Sequence, residues 1–539
     1  MRIDKVYIED YKNLKEFNID LDEKEMKTVL LGQNATGKSN FMEALILIFK
    51  NLDLSTETKR ICTKFNYNIT YKIQEKVINV KVKISEKAKK QEYVITVDGD
   101  PIKSFKSFFS KEGKALYQPK YVFTYYSGLS NKLKEHFWDH QNNFYKKIIS
   151  DDFQETELDS LRKLFYVQLV HSYFVLLAYF THEDEEKESI NFLNEVLNIQ
   201  DIESILFILR MPKWAENGVK ENPDDIFWTA KGLVRPFLDK LWELSVAPIY
   251  NDESIRTDFD DYDSQKRLYL FLKGKDKLQE LAKTYTSNTA LFKALESTYI
   301  SKLIAEVRIK VKKTNVDGSI TFKELSEGEQ QLLTVLGLLK FTKDEDSLIL
   351  LDEPDTHLNP IWKWRYLEFL DKVVQRPKST QIILNTHDPL VIGSLKKEEV
   401  RIFRTNADGK LEIEEPHVDP RAMDIIGILR SELFGLPSVL SKYLQLKLNR
   451  KRYLQFKIEK KENNQDELDE FNRIEKEISE SGFNDSTFDP WYDKYLEAIS
   501  ENPMFQKVEF SKEEELELRK LSKTIIEKLT KQHFPNEAN

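Results

Sequence analysis

Gly32-Gln33-Asn34-Ala35-Thr36-Gly37-Lys38-Ser39 has the G-x-x-x-x-G-K-S spacing that cradles a phosphate chain. Its glycines let the backbone approach the phosphates, and the amides opening the next helix, from Lys38 through Asn40, complement their negative charge. Lys38 is then placed to reach the β- and γ-phosphates, and the Ser39 hydroxyl to hold Mg²⁺. Far along the chain Leu348-Ile349-Leu350-Leu351 runs into Asp352-Glu353, which puts two carboxylates at the mouth of a buried strand. Asp352 is expected to make the second Mg²⁺ contact, direct or through water, and Glu353 to act as the general base on the attacking water. His387 ends a further apolar run, Ile382 to Thr386, and in a parallel sheet would emerge on the same edge to sense the γ-phosphate. ATP and Mg²⁺ are the cofactors this set of residues requires.

The elements that must position these groups are legible around them. Residues 3–8 and 16–21 alternate as half-buried strands do, and Thr28-Val29-Leu30-Leu31 enters the phosphate loop, with a helix expected over Phe41 to Phe49. Alternation from Tyr67 to Val97, with Asp98-Gly99 as a turn, predicts an antiparallel lobe that Tyr121 to Tyr126 closes. Apolar residues at three-to-four spacing predict a compact helical insertion over 131–300, without the long heptads of a coiled coil. The resulting division is 1–130 for the first half of the head, 131–300 for the insertion, 301–417 for the second half, and 418–539 for a charged helical partner-binding region.

Composition sets the limits. A chain of 539 residues exceeds a single core, and 40% hydrophobic with 32% charged residues predicts a soluble, cytoplasmic protein without membrane contact. The lone Cys62, expected to be a buried thiol, excludes a disulfide framework or a Cys-x-x-Cys zinc hook. A net charge of −9 excludes wholesale coating of nucleic acid, so DNA contact is local or made through a partner.

Leu325-Ser326-Glu327-Gly328-Glu329-Gln330-Gln331, ahead of Asp352-Glu353, resembles the signature of the ATP-binding-cassette class, in its soluble branch with the RecF, overcoming-lysogenization-defect and chromosome-maintenance ATPases. The resemblance covers residues 1–50 and 320–405. It implies an α/β head, a mixed sheet around the phosphate-loop core with an antiparallel β lobe, carrying a large helical insertion and a helical C-terminal region. It also implies a homodimer in which Ser326, Gly328 and Glu329 meet the γ-phosphate bound by the other copy. Asp355 would be a D-loop contact across that dimer, and Lys12, in Asp10-Tyr11-Lys12-Asn13-Leu14, a basic nucleotide contact. No glutamine stands at Tyr125 to Ser130, where the glutamine loop falls; Gln118 lies earlier.

A narrower resemblance, to the PtuA-type ATPases of Septu and retron anti-phage systems, rests on Tyr125-Tyr126-Ser127-Gly128-Leu129-Ser130, the medium-length insertion and the segment Leu429 to Ser441. It implies a defence complex with a separate HNH nuclease and, in retron versions, a reverse transcriptase with its RNA-linked DNA (msDNA). A DNA-repair or DNA-end-binding ATPase and a self-contained nuclease are the competing readings. Against the latter, the region after residue 405 has neither a Val-Glu-Gly strand turn nor an Asp-x-Asp after an apolar run. His136-Phe137-Trp138-Asp139-His140 has metal-box spacing but reads as a packed helix, and Lys447, Arg450, Lys451 and Arg452 read as a solvated helix face.

Overall fold

The computed structural model describes the chain except residues 62, 85–90, 129, 131, 149–162, 182–186, 216–224, 315–318, 342–345, 375–377, 407–408, 437–438, 462, 481–516, 519, 527 and 529–539. Cys62 therefore lies outside the described residues, as does half of the charged stretch from Lys512 to Lys531. Two compact units divide at 437/438.

In the first unit, β1 (Arg2–Tyr11), β2 (Leu14–Asp20), β4 (Tyr67–Ile73), β5 (Lys76–Ile84), β6 (Gln91–Val97) and β7 (Asp100–Pro101) form an antiparallel sheet in the order β2-β1-β4-β5-β6-β7. The central sheet runs β18 (Leu411–Glu414), β17 (Val400–Thr405), β3 (Lys27–Gly32), β16 (Thr380–Asn385), β15 (Ser347–Asp352), β8 (Tyr121–Tyr126), β9 (Leu164–Tyr166), and is parallel except for β18. Thus β8 does not close the antiparallel lobe, as expected, but pairs with β15 in the central sheet. Both faces of that sheet are covered, which is why its strands read as unbroken apolar runs. Leu348, Leu350 and Ile383 pack toward α1 (Lys38–Leu54) and the lobe, while Ile349, Leu351, Ile382 and Leu384 pack into a second core with the insertion.

The insertion departs from the helical expectation. Alongside α2 (Trp138–Ile148), α3 (Val170–Tyr179) and α4 (Asn288–Ile300) it contains long strands β10 (Ile199–Arg210), β11 (Val246–Arg256) and β12 (Tyr262–Lys273). With β13 (Ile304–Lys313) and β14 (Ser319–Thr321) they form an antiparallel sheet, order β11-β12-β10-β13-β14. The cause of the misreading is visible in β10. Its register against β13 slips between Ile199 and Asp201 and again between Ile202 and Ser204. Each bulge adds a residue, so the inward-facing Ile199, Ile202 and Ile205 recur every third position and mimic a helix.

From β14 a one-turn helix, Phe322–Glu324, leads into α5 (Glu327–Phe341), and α6 (Pro360–Val373) follows β15. The unit continues past the expected boundary at 417 because α7 (Ile425–Arg430) returns Ile428, and beyond it Leu433, to the second core. In the other unit, α8 (Lys442–Glu459) and α9 (Gln465–Glu480) pair through Leu448, Leu454, Ile474 and Ile478. Among the described residues no helix is long and apolar enough to cross a membrane.

Candidate functional site

The register of the central sheet builds the site. Asp352 pairs with Asn385 and with Tyr126, and Asn385 pairs with Leu30 two residues before the phosphate loop, so β15, β16 and β8 deliver polar residues to the edge where β3 enters that loop. The loop itself is tightly specified. Gly32 and Gly37 have φ of 144° and 100°. A side chain at Gly32 would meet the Phe403 carbonyl oxygen at 2.4 Å, and one at Gly37 would meet Asn13 at 2.9 Å. Asn13 also donates to the Ala35 carbonyl and accepts from Asn40, bracing the loop from the β1–β2 turn. Gln33, Asn34 and Ala35 are exposed at its tip, and the Thr36 hydroxyl bonds back to the Gln33 carbonyl at 2.8 Å.

Lys38 is 4% exposed and donates to the carbonyls of Gly32 at 2.7 Å and Gln33 at 3.1 Å, which holds the ammonium over the loop. Burial pulls its pKa down to about 8, against the opposing pull of Glu353 and Asp352. Asp352 is 1% exposed, accepts from Asn385 at 2.5 Å and faces Ser39. Burial pushes its carboxyl above the usual range, partly offset by Ser39 and Asn385. Its Oδ2 has no hydrogen-bond partner among the described residues. A buried carboxylate oxygen left open beside a hydroxyl suits a hard divalent cation, so the residues present fit Mg²⁺.

Glu353 follows in the left-handed region at φ 51°, fixed by its amide bonding to the Asn385 carbonyl at 2.8 Å. This turn aims the carboxylate at the rim, where His387 Nε2 lies 3.3 Å away. His387 is held below its ordinary pKa by burial and then by Lys38, which favours the neutral ring.

The signature residues stand at the start of α5. Ser326 is exposed, and Glu329 returns its carboxylate to the Ser326 amide at 2.9 Å and hydroxyl at 3.1 Å, a capping box. Lys313 on β13 holds the other oxygen of Glu329 at 2.6 Å, which ties the inserted sheet to the signature. Gly328 is required by close approach, since a side chain there would strike the His357 carbonyl oxygen at 2.5 Å.

Two expected site residues have partners within the chain. Lys12 turns to Glu43 on α1 at 2.5 Å, where Lys132 and His136 also converge. Asp355 is buried, accepting from Thr386 at 3.0 Å, and burial raises its carboxyl to about 6. His136 and His140 reach separate carboxylates, Glu43 at 3.0 Å and Asp53 at 2.8 Å, so they share no metal position. Lys447, Arg450 and Lys451 pair with Glu477, Glu470 and Glu475. Gln118 is buried and donates to the Leu52 carbonyl. Residues the motifs did not single out are Asn13, Asn385, Thr386 and Gln331, whose Oε1 accepts from the His357 amide. A polar pair ending an apolar run was the available signal for Asn385 and Thr386.

A phosphate loop, a buried acid facing the loop's serine and a rim glutamate paired with a histidine define a P-loop ATPase. The chain belongs to the AAA ATPase domain family, AAA_15, whose model matches residues 1–392. Similar curated proteins include the Septu protein PtuA of Bacillus mycoides, 25% identical over 154 residues, covering 27% of this chain and 21% of that one. The Retron Vc95 probable ATPase of Vibrio cholerae is 22% identical over 186 residues, covering 32% and 34%. The probable peptide export ATP-binding protein YydI of Bacillus subtilis is 30% identical over 102 residues, covering 19% and 47%. The matches thus span less than half the length of each relative. Among solved structures, the SMC head domain from Thermotoga maritima aligns over 78% of this chain and 100% of its own, with TM-score 0.31 and 13% identity.

Proposed function

We propose that this chain is the ATP-hydrolysing subunit of an anti-phage defence complex, closing as a homodimer around ATP and regulating a separate HNH nuclease, in the cytoplasm. One observation carries the hydrolytic reading: buried Asp352, with Oδ2 open beside Ser39, lies under the Glu353–His387 pair. Mg²⁺ held by Ser39 and Asp352 would neutralise charge on the phosphates. Lys38 positions the γ-phosphate, Glu353 takes the proton of the attacking water, and neutral His387, its one N–H turned to Glu353, orients that carboxylate.

The dimer reading is supported by Ser326, which is exposed at a helix start whose amides suit an anion. The defence role is supported by the Septu and retron relatives, whereas a reverse transcriptase and msDNA as further partners rest on the resemblance carried by Tyr125 to Ser130. Mixing tests the composite site. Lys38→Ala and Ser326→Arg chains are each expected to be inactive, yet together they form one intact site per mixed dimer and recover ATP turnover. Turnover in the mixture no greater than the sum of the separate chains refutes it. Co-purification of the chain from its native host tests the nuclease partner, and a complex without an HNH protein refutes that part.

A further inference from the structure

A cleft of about 330 Å³ lies in the insertion, away from the ATP site, between α2, the start of α3 and the end of α4. One wall is a single face of a continuous helical run: Lys134, Trp138, Gln141 and Tyr145 follow at helical spacing and all line the cleft. Across from them stand Tyr299 and Lys302, and the floor is the buried pair His171 and Glu296, 3.5 Å apart.

The side chains divide by chemistry. Trp138, Tyr145 and Tyr299 offer aromatic faces, with Trp138 55% exposed although it is the largest apolar group there. Lys134 and Lys302 supply positive charge, and Arg210, whose Nε donates to the Lys302 carbonyl, stands beside them. None of these three cations has an ion-pair partner among the described residues. Partial burial, then Arg210 and Lys134, hold the Lys302 ammonium below the usual lysine range, the signature of cations gathered without an anion. Lys302 is also a non-glycine residue at φ 68°, pinned by its amide bonding to the Tyr299 carbonyl. Aromatic rings beside uncompensated cations are what a base and its phosphate require. The volume is at the lower end for small-molecule sites and accommodates one such unit.

The wall is held rigidly from behind. The opposite face of the same run puts His136 on Glu43 and His140 on Asp53, both carboxylates of the helix that begins at the phosphate loop. Lys132, just before it, bonds both Glu43 and Asn40.

From this geometry we infer that the cleft is a second ligand site, which takes one nucleoside-phosphate unit and transmits its occupancy through α2 to α1. The unit is either a free nucleotide or the terminal nucleotide of a single strand. The site is argued independently of ATP hydrolysis at Lys38.

The full-length chain carrying Lys38→Ala, which silences the ATP site, is titrated by calorimetry with AMP and UMP, and separately with 5′-phosphorylated hexathymidylate. Saturable binding of one unit per chain is expected. Saturation by the mononucleotides assigns a free ligand; saturation by the oligonucleotide alone assigns a strand end. Added Lys134→Glu/Lys302→Glu, and separately Trp138→Leu, should each weaken binding at least tenfold, since all three side chains lie at the surface and their loss leaves the core intact. No saturable binding, or affinity within twofold after either change, overturns the site. For transmission, ATP affinity of the otherwise unaltered chain should shift at least threefold when the cleft is saturated with the ligand so identified, and should not shift in Lys134→Glu/Lys302→Glu. An unshifted ATP affinity overturns the link to α1, whatever the state of the cleft.

Discussion

His387 Nε2 lies 3.3 Å from Glu353 Oε1, which joins the ends of β16 and β15 at the rim of the nucleotide site. Both residues follow strands that pair in register, so the contact is set by the sheet. Glu353→Gln is expected to lower ATP turnover by about 10²- to 10⁴-fold while ATP binding persists, because a general base is lost and the binding groups remain. His387→Ala should cost less, roughly 10-fold or more, since the ring acts on the water through Glu353. Single-turnover hydrolysis and equilibrium binding separate the two steps; loss of binding in Glu353→Gln would contradict the assignment.

Asp352 bears on the metal. Asp352→Asn removes the charge beside Ser39 but keeps an acceptor for Asn385. Turnover is expected to fall at least about 100-fold, and nucleotide affinity should cease to respond to Mg²⁺. A magnesium titration of nucleotide binding, with and without the change, checks this; an unchanged magnesium response refutes it.

Lys38 makes ATP binding pH-dependent. With its pKa at about 8 in the free protein, the ammonium that meets the phosphates is increasingly lost above that pH. Phosphate contact favours the charged form, so affinity should be flat below pH 7 and fall by up to about tenfold per pH unit above 8. Nucleotide titrations from pH 6.5 to 9.5 read this out. Lys38→Arg, which keeps its charge throughout, should lack the fall even where it binds more weakly.

The parts of the site that follow from local spacing were legible in the sequence, and those that depend on tertiary pairing were not. Lys38, Ser39, Asp352, Glu353 and His387 each sit beside an apolar run or glycines that announce their position. Lys12 has no such context, and only the approach of α1 shows that Glu43 claims it. Asp355 is given by the resemblance as a D-loop contact, and only the structure shows that it is buried and accepts from Thr386. The inserted sheet was hidden because bulges in β10 disguised its period and because β11 is largely solvated, so its polar run Asn251-Asp252-Glu253-Ser254 carries no alternation.

Gly328 tests how the signature helix is seated. Gly328→Ala would drive a methyl group into the His357 carbonyl, a backbone atom that cannot rotate away. The start of α5 must then shift from the loop after Asp352, whose His357 amide is held by Gln331. ATP binding should survive, since Lys38 is untouched, while turnover falls at least about tenfold through misplacement of Ser326. Equal turnover in Gly328→Ala would show that this close approach has no part in hydrolysis.

Asp355 predicts a stability change with a definite sign. Its folded-state pKa of about 6 lies above the ordinary aspartate value, so between roughly pH 4 and 6 the folded chain holds a proton that the unfolded chain releases. Stability contributed at this position is therefore present at low pH and lost as pH rises through 6, where burial of the charge costs roughly 3 kcal/mol. Asp355→Asn retains an acceptor for the Thr386 hydroxyl and removes the charge. It should raise the melting temperature at pH 7.5 and leave it almost unchanged at pH 4. Melting curves at the two pH values decide the matter: an equal rise at both would mean that the carboxylate's charge is not what strains this turn.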